Sequence, residues 1–173
     1  VISTMLLLSM GATLLAGCGS TAGNGKEGGA GASNAEEGKV INIYSWNDEF
    51  RTRVEAVYPE VKETSKDGTI TYLKDGTEIH WVVNPNQDGV YQQKLDEALS
   101  KQADAAADDK IDIFLVEADY ALKYVDTDYT MDVADLGITD ADIADQYQYT
   151  KDIVTDSNGK LKGLTWQGCP GVL

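Results

Sequence analysis

Three short segments of this 173-residue chain bring indole rings together with amides and carboxylates: Trp46-Asn47-Asp48, Glu117-Ala118-Asp119-Tyr120 and Trp166-Gln167. Aromatic faces stack on the apolar faces of polyhydroxylated rings, while amides and carboxylates bond the hydroxyl groups. A few convergent polar groups against apolar walls is what a small-molecule pocket requires. Composition alone fits a second reading equally well, in which Trp46 and Trp166 are core residues and the acids are surface.

Other chemistry finds little support. With one histidine, His80, the chain cannot assemble a zinc cluster or a His-based triad. His80 falls in an extended segment, where packing or solvent contact is the expected role. No Gly-x-Ser-x-Gly elbow, phosphate loop or dinucleotide fingerprint occurs. Glu117 and Asp119 could in principle serve a glycosidase, but no second distant acid is identifiable. The window Asp126-Thr127-Asp128-Tyr129-Thr130-Met131-Asp132 alternates oxygen ligands as a calcium loop does. Its sixth position is Met131 rather than Gly, and its twelfth is Gly137 rather than Glu. No metal, cofactor or enzymatic activity is expected.

Charge narrows the partners. The formal net charge is −15, and between Asp96 and Asp156 there are 17 Asp/Glu against 4 Lys, a net of −13. Such a surface repels nucleic acid and anionic head groups, favours solubility, and tolerates neutral or cationic ligands.

The elements that must position these residues begin late in the chain. Val1 to Gly17 carries no charged side chain and is rich in Leu, Met and Ala, too short for a comfortable membrane span but suited to a signal-peptide core. Leu15-Ala16-Gly17-Cys18 reads as a lipoprotein cleavage and acylation site. A lipid thioether on Cys18 and a further acyl chain on the freed amine would give stable anchoring. The expected division is a signal over residues 1–17, lipidated Cys18 with a flexible Gly/Ala/Ser tether to residue 38, and a globular part from 39 to 173. With Cys18 acylated, Cys169 has no partner in the chain, so a disulfide framework is excluded.

Val40 to Ser45 reads as a buried strand. Asn47 or Asp48 is positioned to cap a helix that Pro59 ends, with Phe50, Val54, Val57 and Tyr58 on one face. Thr69–Leu73 and Glu78–Val83 flank Asp75-Gly76, a type I′ hairpin signal. Asp88 is expected to cap a long helix reaching about Asp108, its inner stripe formed by Tyr91, Leu95, Ala98, Leu99, Gln102 and Ala106. Ile111–Val116 is a second core strand, followed by a helical turn over residues 119–124. Val133 and Leu136 form a buried pair in a loop, Asp140 caps a short helix to Ala144, and Asp156-Ser157-Asn158-Gly159 turns into a last strand, Leu161–Trp166. This alternation implies a parallel-type α/β sheet, with ligands beyond the carboxyl ends of its strands.

The ordered set resembles the extracellular solute-binding proteins of ABC importers, above all their carbohydrate-binding group. It comprises the lipoprotein signal, the tether, Val-Ile-Asn-Ile-Tyr-Ser-Trp-Asn, Ile-Asp-Ile-Phe-Leu-Val-Glu-Ala-Asp-Tyr and Asn-Gly-Lys-Leu-Lys-Gly-Leu-Thr-Trp. The resemblance covers Cys18 to Leu173, and no single motif in it is diagnostic. It implies the first lobe of a periplasmic-binding-protein-like two-lobe fold with the second lobe largely absent, because family members are much longer. It implies a monomer, held on the outer face of the cytoplasmic membrane by its lipid alone, that hands a sugar or oligosaccharide to permease subunits. Carried over, Trp46, Asn47 and Asp48 match the first cleft segment, Glu117, Asp119 and Tyr120 the second, and Trp166 and Gln167 the third. The tryptophans would stack on the solute, with Asn47, Asp48, Glu117, Asp119 and Gln167 bonding hydroxyls. Tyr-Ser-Trp-Asn-Asp also looks like the opening of polyamine receptors, so a cationic solute is the rival ligand. A calcium-dependent surface adhesion lipoprotein is the rival of a different class.

Overall fold

The computed structural model describes residues 39–168. The proposed signal, Cys18, the tether and Cys169 lie outside the described residues. The described part is mixed α/β, built on one five-stranded sheet.

Its centre is β1, Val40–Ser45, flanked in parallel by β4, Glu78–Val83, and by β5, Ile111–Phe114. Beyond β4 the sheet turns antiparallel through β3, Ile70–Leu73, and β2, Val61–Thr64, giving the order β2-β3-β4-β1-β5. The sheet is therefore mixed rather than wholly parallel. The expected last strand over Leu161–Trp166 is reduced to one antiparallel bridge between Thr155 and Leu161. Local loops claim its backbone instead: Leu161 accepts from the Val133 N–H, and the Lys162 N–H donates to Val154.

Strand alternation divides the core. Ile43 joins Leu73, Ile79 and Trp81 on one face, where Phe50 and Val54 of α1, Glu49–Val57, pack over them. Its neighbour Tyr44 points the other way, against Tyr91, Leu95 and Leu99 of α2, Val90–Leu99. The crossover from β1 to β4 travels one way across the sheet, and that from β4 to β5 travels back. Right-handed connections in opposite directions place their helices on opposite faces.

Local chemistry corrects several expectations. Val57 is 80% exposed and Tyr58 44%, so only the Phe50–Val54 part of the α1 stripe is used. The Asp75-Gly76 turn is a three-residue loop with Gly76 alone at positive φ (+91°), not type I′, which needs two such residues. Asp88 does not cap α2; it sits at φ +53°, and left-handed Gly89 precedes the helix. α2 stops at Leu99 despite the alanines that follow, because Gln102 clasps the start of β5. Its Nε2 donates to Ile111 O at 2.8 Å, and its Oε1 accepts from Ile111 N at 2.9 Å. Tertiary bonding here overrides helix propensity.

After β5 comes α3, Leu122–Val125, which overlaps the helical turn expected over residues 119–124 and ends one residue beyond it. Asp132 caps a 3-10 turn over Val133–Leu136 by accepting from Ala134 N–H; Val133 is buried, but Leu136 is 61% exposed. No helix forms behind Asp140. Asp142 instead accepts from the amide and hydroxyl of Thr139, and the helix of this region is α4, Gln148–Asp152. No described helix is long and apolar enough to cross a membrane.

Candidate functional site

The connection leaving β1 turns to the α1 face, whereas those leaving β4 and β5 turn to the α2 face. Adjacent strands whose exits diverge leave a crevice at the carboxyl edge of a sheet. Two main-chain bonds fix this edge: Leu115 N–H donates to Tyr44 O at 3.0 Å, and Asn84 N–H donates to Ser45 O at 2.9 Å. Beneath them, the Tyr91 hydroxyl donates to Leu115 O at 2.6 Å, with Tyr44 O at 3.2 Å. Burial pushes that hydroxyl far above its usual range, so it remains a neutral donor.

Trp46 leaves β1 toward this tyrosine; the rings lie 5.5 Å apart in a T-shaped arrangement, and Trp46 keeps partial exposure. Asn47 and Asp48 follow, both exposed. Asn47 Oδ1 accepts from Glu49 N–H at 3.0 Å, which covers one free donor at the start of α1. Asp48 makes no side-chain cap and instead pairs with Arg51 at 3.4 Å.

Glu117 and Asp119 leave β5 on the same edge, both exposed. Asn86, in the connection after β4, donates through Nδ2 to Glu117 Oε2 at 2.7 Å. Because β4 and β5 flank β1, this bond spans the end of the central strand. Asn86 was not among the sequence-derived candidates. Its signal was the Asn84-Pro85-Asn86 segment at the exit of a strand that also runs parallel to β1.

Tyr120 is placed differently from its expected role. It is buried at 9% exposure with Tyr91 and Tyr124. Its hydroxyl has no hydrogen-bond partner among the described residues. Burial, with the negative charges of Glu117 and Asp119, pushes its ionisation well above the ordinary range. It serves as a wall under the edge rather than a contact on it.

Trp166 and Gln167 do not join this group. Trp166 tilts against Phe50 at 5.2 Å and 57° on the α1 side. With Glu49, Arg53, Val54 and Gln167 they border a hollow of about 420 Å³, which none of the other six candidates lines. The structure thus brings Trp46, Glu117 and Asn86 to one edge, with Asn47, Asp48 and Asp119 beside them in the same loops, and holds Trp166 and Gln167 apart.

Two acids of the calcium-like window have local partners. Asp126 accepts from Ser157 N–H at 2.7 Å, and Asp132 is engaged with Ala134. Among the described residues, no three His, Cys, Asp or Glu side chains converge as metal ligands. His80 Nε2 lies 2.8 Å from Glu78 Oε2 on the sheet surface, away from this edge.

No protein-family model, curated protein or solved structure matches this chain.

Proposed function

We propose that this chain is the first lobe of a lipid-anchored, extracellular solute-binding protein, which captures a sugar or oligosaccharide and delivers it to an ABC permease. The observation that carries the reading is the Asn86–Glu117 bond, which links the connections after β4 and β5 on either side of the strand end that leads into Trp46. It gathers an indole, an amide and a carboxylate at the carboxyl ends of three adjacent parallel strands, where open α/β sheets bind ligands. One Glu117 oxygen is held by Asn86, leaving the other and the Asn86 carbonyl as acceptors for hydroxyl groups. No bond is made or broken; the free energy is that of binding, and of closure against a second lobe.

One observation favours a second solute within the same reading. Glu117 and Asp119 are exposed, and neither forms an ion pair among the described residues. Carboxylates beside an indole also suit an ammonium group. Calorimetry of the full-length protein against a panel of saccharides and polyamines separates the two. Heat with a saccharide that disappears in Glu117→Gln supports the sugar; tight polyamine binding with silence across the saccharides replaces it.

A further inference from the structure

We propose that α1, the segment over residues 166–168 and α4 together form a docking surface for another protein, one that presents an arginine beside a bulky apolar side chain. The inference is independent of the solute reading and uses neither Trp46, Asn86 nor Glu117. Two aromatic pairs adjoin on this surface. Phe50 and Trp166 lie 5.2 Å apart beside the hollow of about 420 Å³, whose walls include Val54 and Val57. Tyr147 and Tyr149 stack with ring centroids 5.8 Å apart and planes 18° from parallel. The pairs meet through Gly168. The Tyr149 hydroxyl oxygen is 3.4 Å from where a Cβ would stand on that glycine, one residue beyond Gln167 on the rim of the hollow. The patch is open to solvent, with Val57 80% and Tyr147 70% exposed. Single apolar residues scattered over a surface need no explanation, whereas adjoining exposed clusters mark interaction sites. Trp, Tyr and Arg are also the residues on which protein interfaces concentrate their binding energy, and Arg53 lines the same hollow.

Charge selects the occupant. Exposed Asp145 lies two residues before Tyr147, and exposed Asp152 follows Tyr149 by three positions, the spacing of neighbours on a helix surface. Neither carboxylate forms an ion pair among the described residues. With a net charge of −15, the chain repels a second copy of itself, a nucleic acid and an anionic membrane, and attracts a basic protein. Each stacked tyrosine covers one face of the other and leaves its outer face free. That flat seat suits a planar guanidinium better than a compact ammonium. The carboxylates beside it add charge-assisted hydrogen bonds. The apolar wall of the hollow then takes the neighbouring side chain of the partner, away from water.

NMR titration of the full-length protein with the peptides Gly-Leu-Gly-Arg-Gly and Gly-Trp-Gly-Arg-Gly, and with their lysine and citrulline counterparts, tests this. The arginine peptides should shift the Tyr147 and Tyr149 rings and the Trp166 indole. They should bind about fivefold or more tighter than the lysine forms, with the neutral citrulline forms weakest. Tyr147→Ala, at a residue too exposed to hold the fold together, should erase the preference for arginine over lysine. Asp145→Asn combined with Asp152→Asn should weaken both charged forms, and Val57→Gln should weaken the Leu and Trp peptides alike. Equal affinity for arginine and lysine, shifts absent from this surface, or a Tyr147→Ala variant that binds as the parent does overturns the inference. Dimerisation through these residues in sedimentation, or their binding to phosphatidylcholine vesicles, assigns the surface to a different occupant and overturns it equally.

Discussion

Glu55 and Glu117 belong to two halves of one sheet that treat the same side chain in opposite ways. Glu55, on α1 over the antiparallel half, is enclosed by partners. Its Oε1 accepts from Thr64 Oγ1 at 2.8 Å and Thr71 Oγ1 at 2.7 Å, and its Oε2 lies 3.5 Å from Arg51. Thr71 in turn accepts from Trp81 Nε1 at 2.9 Å. Glu117, at the edge of the parallel half, is exposed, and among the described residues its side chain has one partner, Asn86. Hairpins fold polar groups back on one another, so their hydrogen bonds close within the chain. Parallel strands finish side by side and face outward, which leaves acceptors for something else. The first arrangement stabilises the fold; the second is where a solute is proposed to bind.

The comparison can be broken most severely through what both halves share, the core under β1. Tyr91→Ala should cost about 3–5 kcal/mol, the range for emptying a buried aromatic site, and chemical denaturation should show a large fall in midpoint. Tyr91→Phe keeps the ring but leaves Leu115 O without its donor, for about 1–3 kcal/mol.

Next comes the antiparallel half alone. Glu55→Ala strips partners from Thr64, Thr71 and Arg51 and should cost about 2–3 kcal/mol. Thr71→Val should be strongly non-additive with it in a double-mutant cycle, since the two share one network. Gly68→Ala should cost about 1–2 kcal/mol. Gly68 lies at φ +72°, and an added Cβ would come within 3.2 Å of Arg51 Nη1, whose side chain can shift although the backbone strain remains.

A smaller, pH-dependent effect belongs to the β2–β3 turn. Bonds from the Ser65 hydroxyl, then from the Thr69 amide and hydroxyl, hold the Asp67 carboxyl down to about 2 from an ordinary 3.8. A depressed carboxylate stabilises the fold fully above its unfolded value, and that contribution is lost as pH falls through its folded value. An NMR titration should therefore show Asp67 ionising near 2, with the turn loosening between about pH 4 and 2. Smallest in stability is Glu117→Gln, expected within about 0.5 kcal/mol of the parent. The same change should abolish solute binding, which is the separation the two halves imply.

Much of this layout was legible in the residues. β1, the β3–β4 pairing and β5 follow from β-branched runs, and the Tyr91-Leu95-Leu99 stripe follows from helical spacing. β2 was not legible, because Val61-Lys62-Glu63-Thr64 is polar and its strand character comes from pairing with β3. Neither was the early end of α2, since a propensity scale does not register the reach of Gln102 to β5. At the candidate site, Trp46 and Glu117 were found from strand ends, whereas Asn86 was missed because β4 was read only as a hairpin arm. Trp166 was assigned to the same edge on the premise of a strand from 161 to 166. Without that strand, its ring goes to Phe50 instead.

The chain contains three tryptophans, and they report on the three environments separately. Indole N–H resonances of the full-length protein, followed through titration with the tightest-binding saccharide of the panel, test the central claim most directly. Trp46 should shift to saturation, while Trp81, buried with its Nε1 bound to Thr71, stays fixed. A saccharide that binds without moving Trp46 would contradict the placement of the site at the carboxyl edge of β1, β4 and β5.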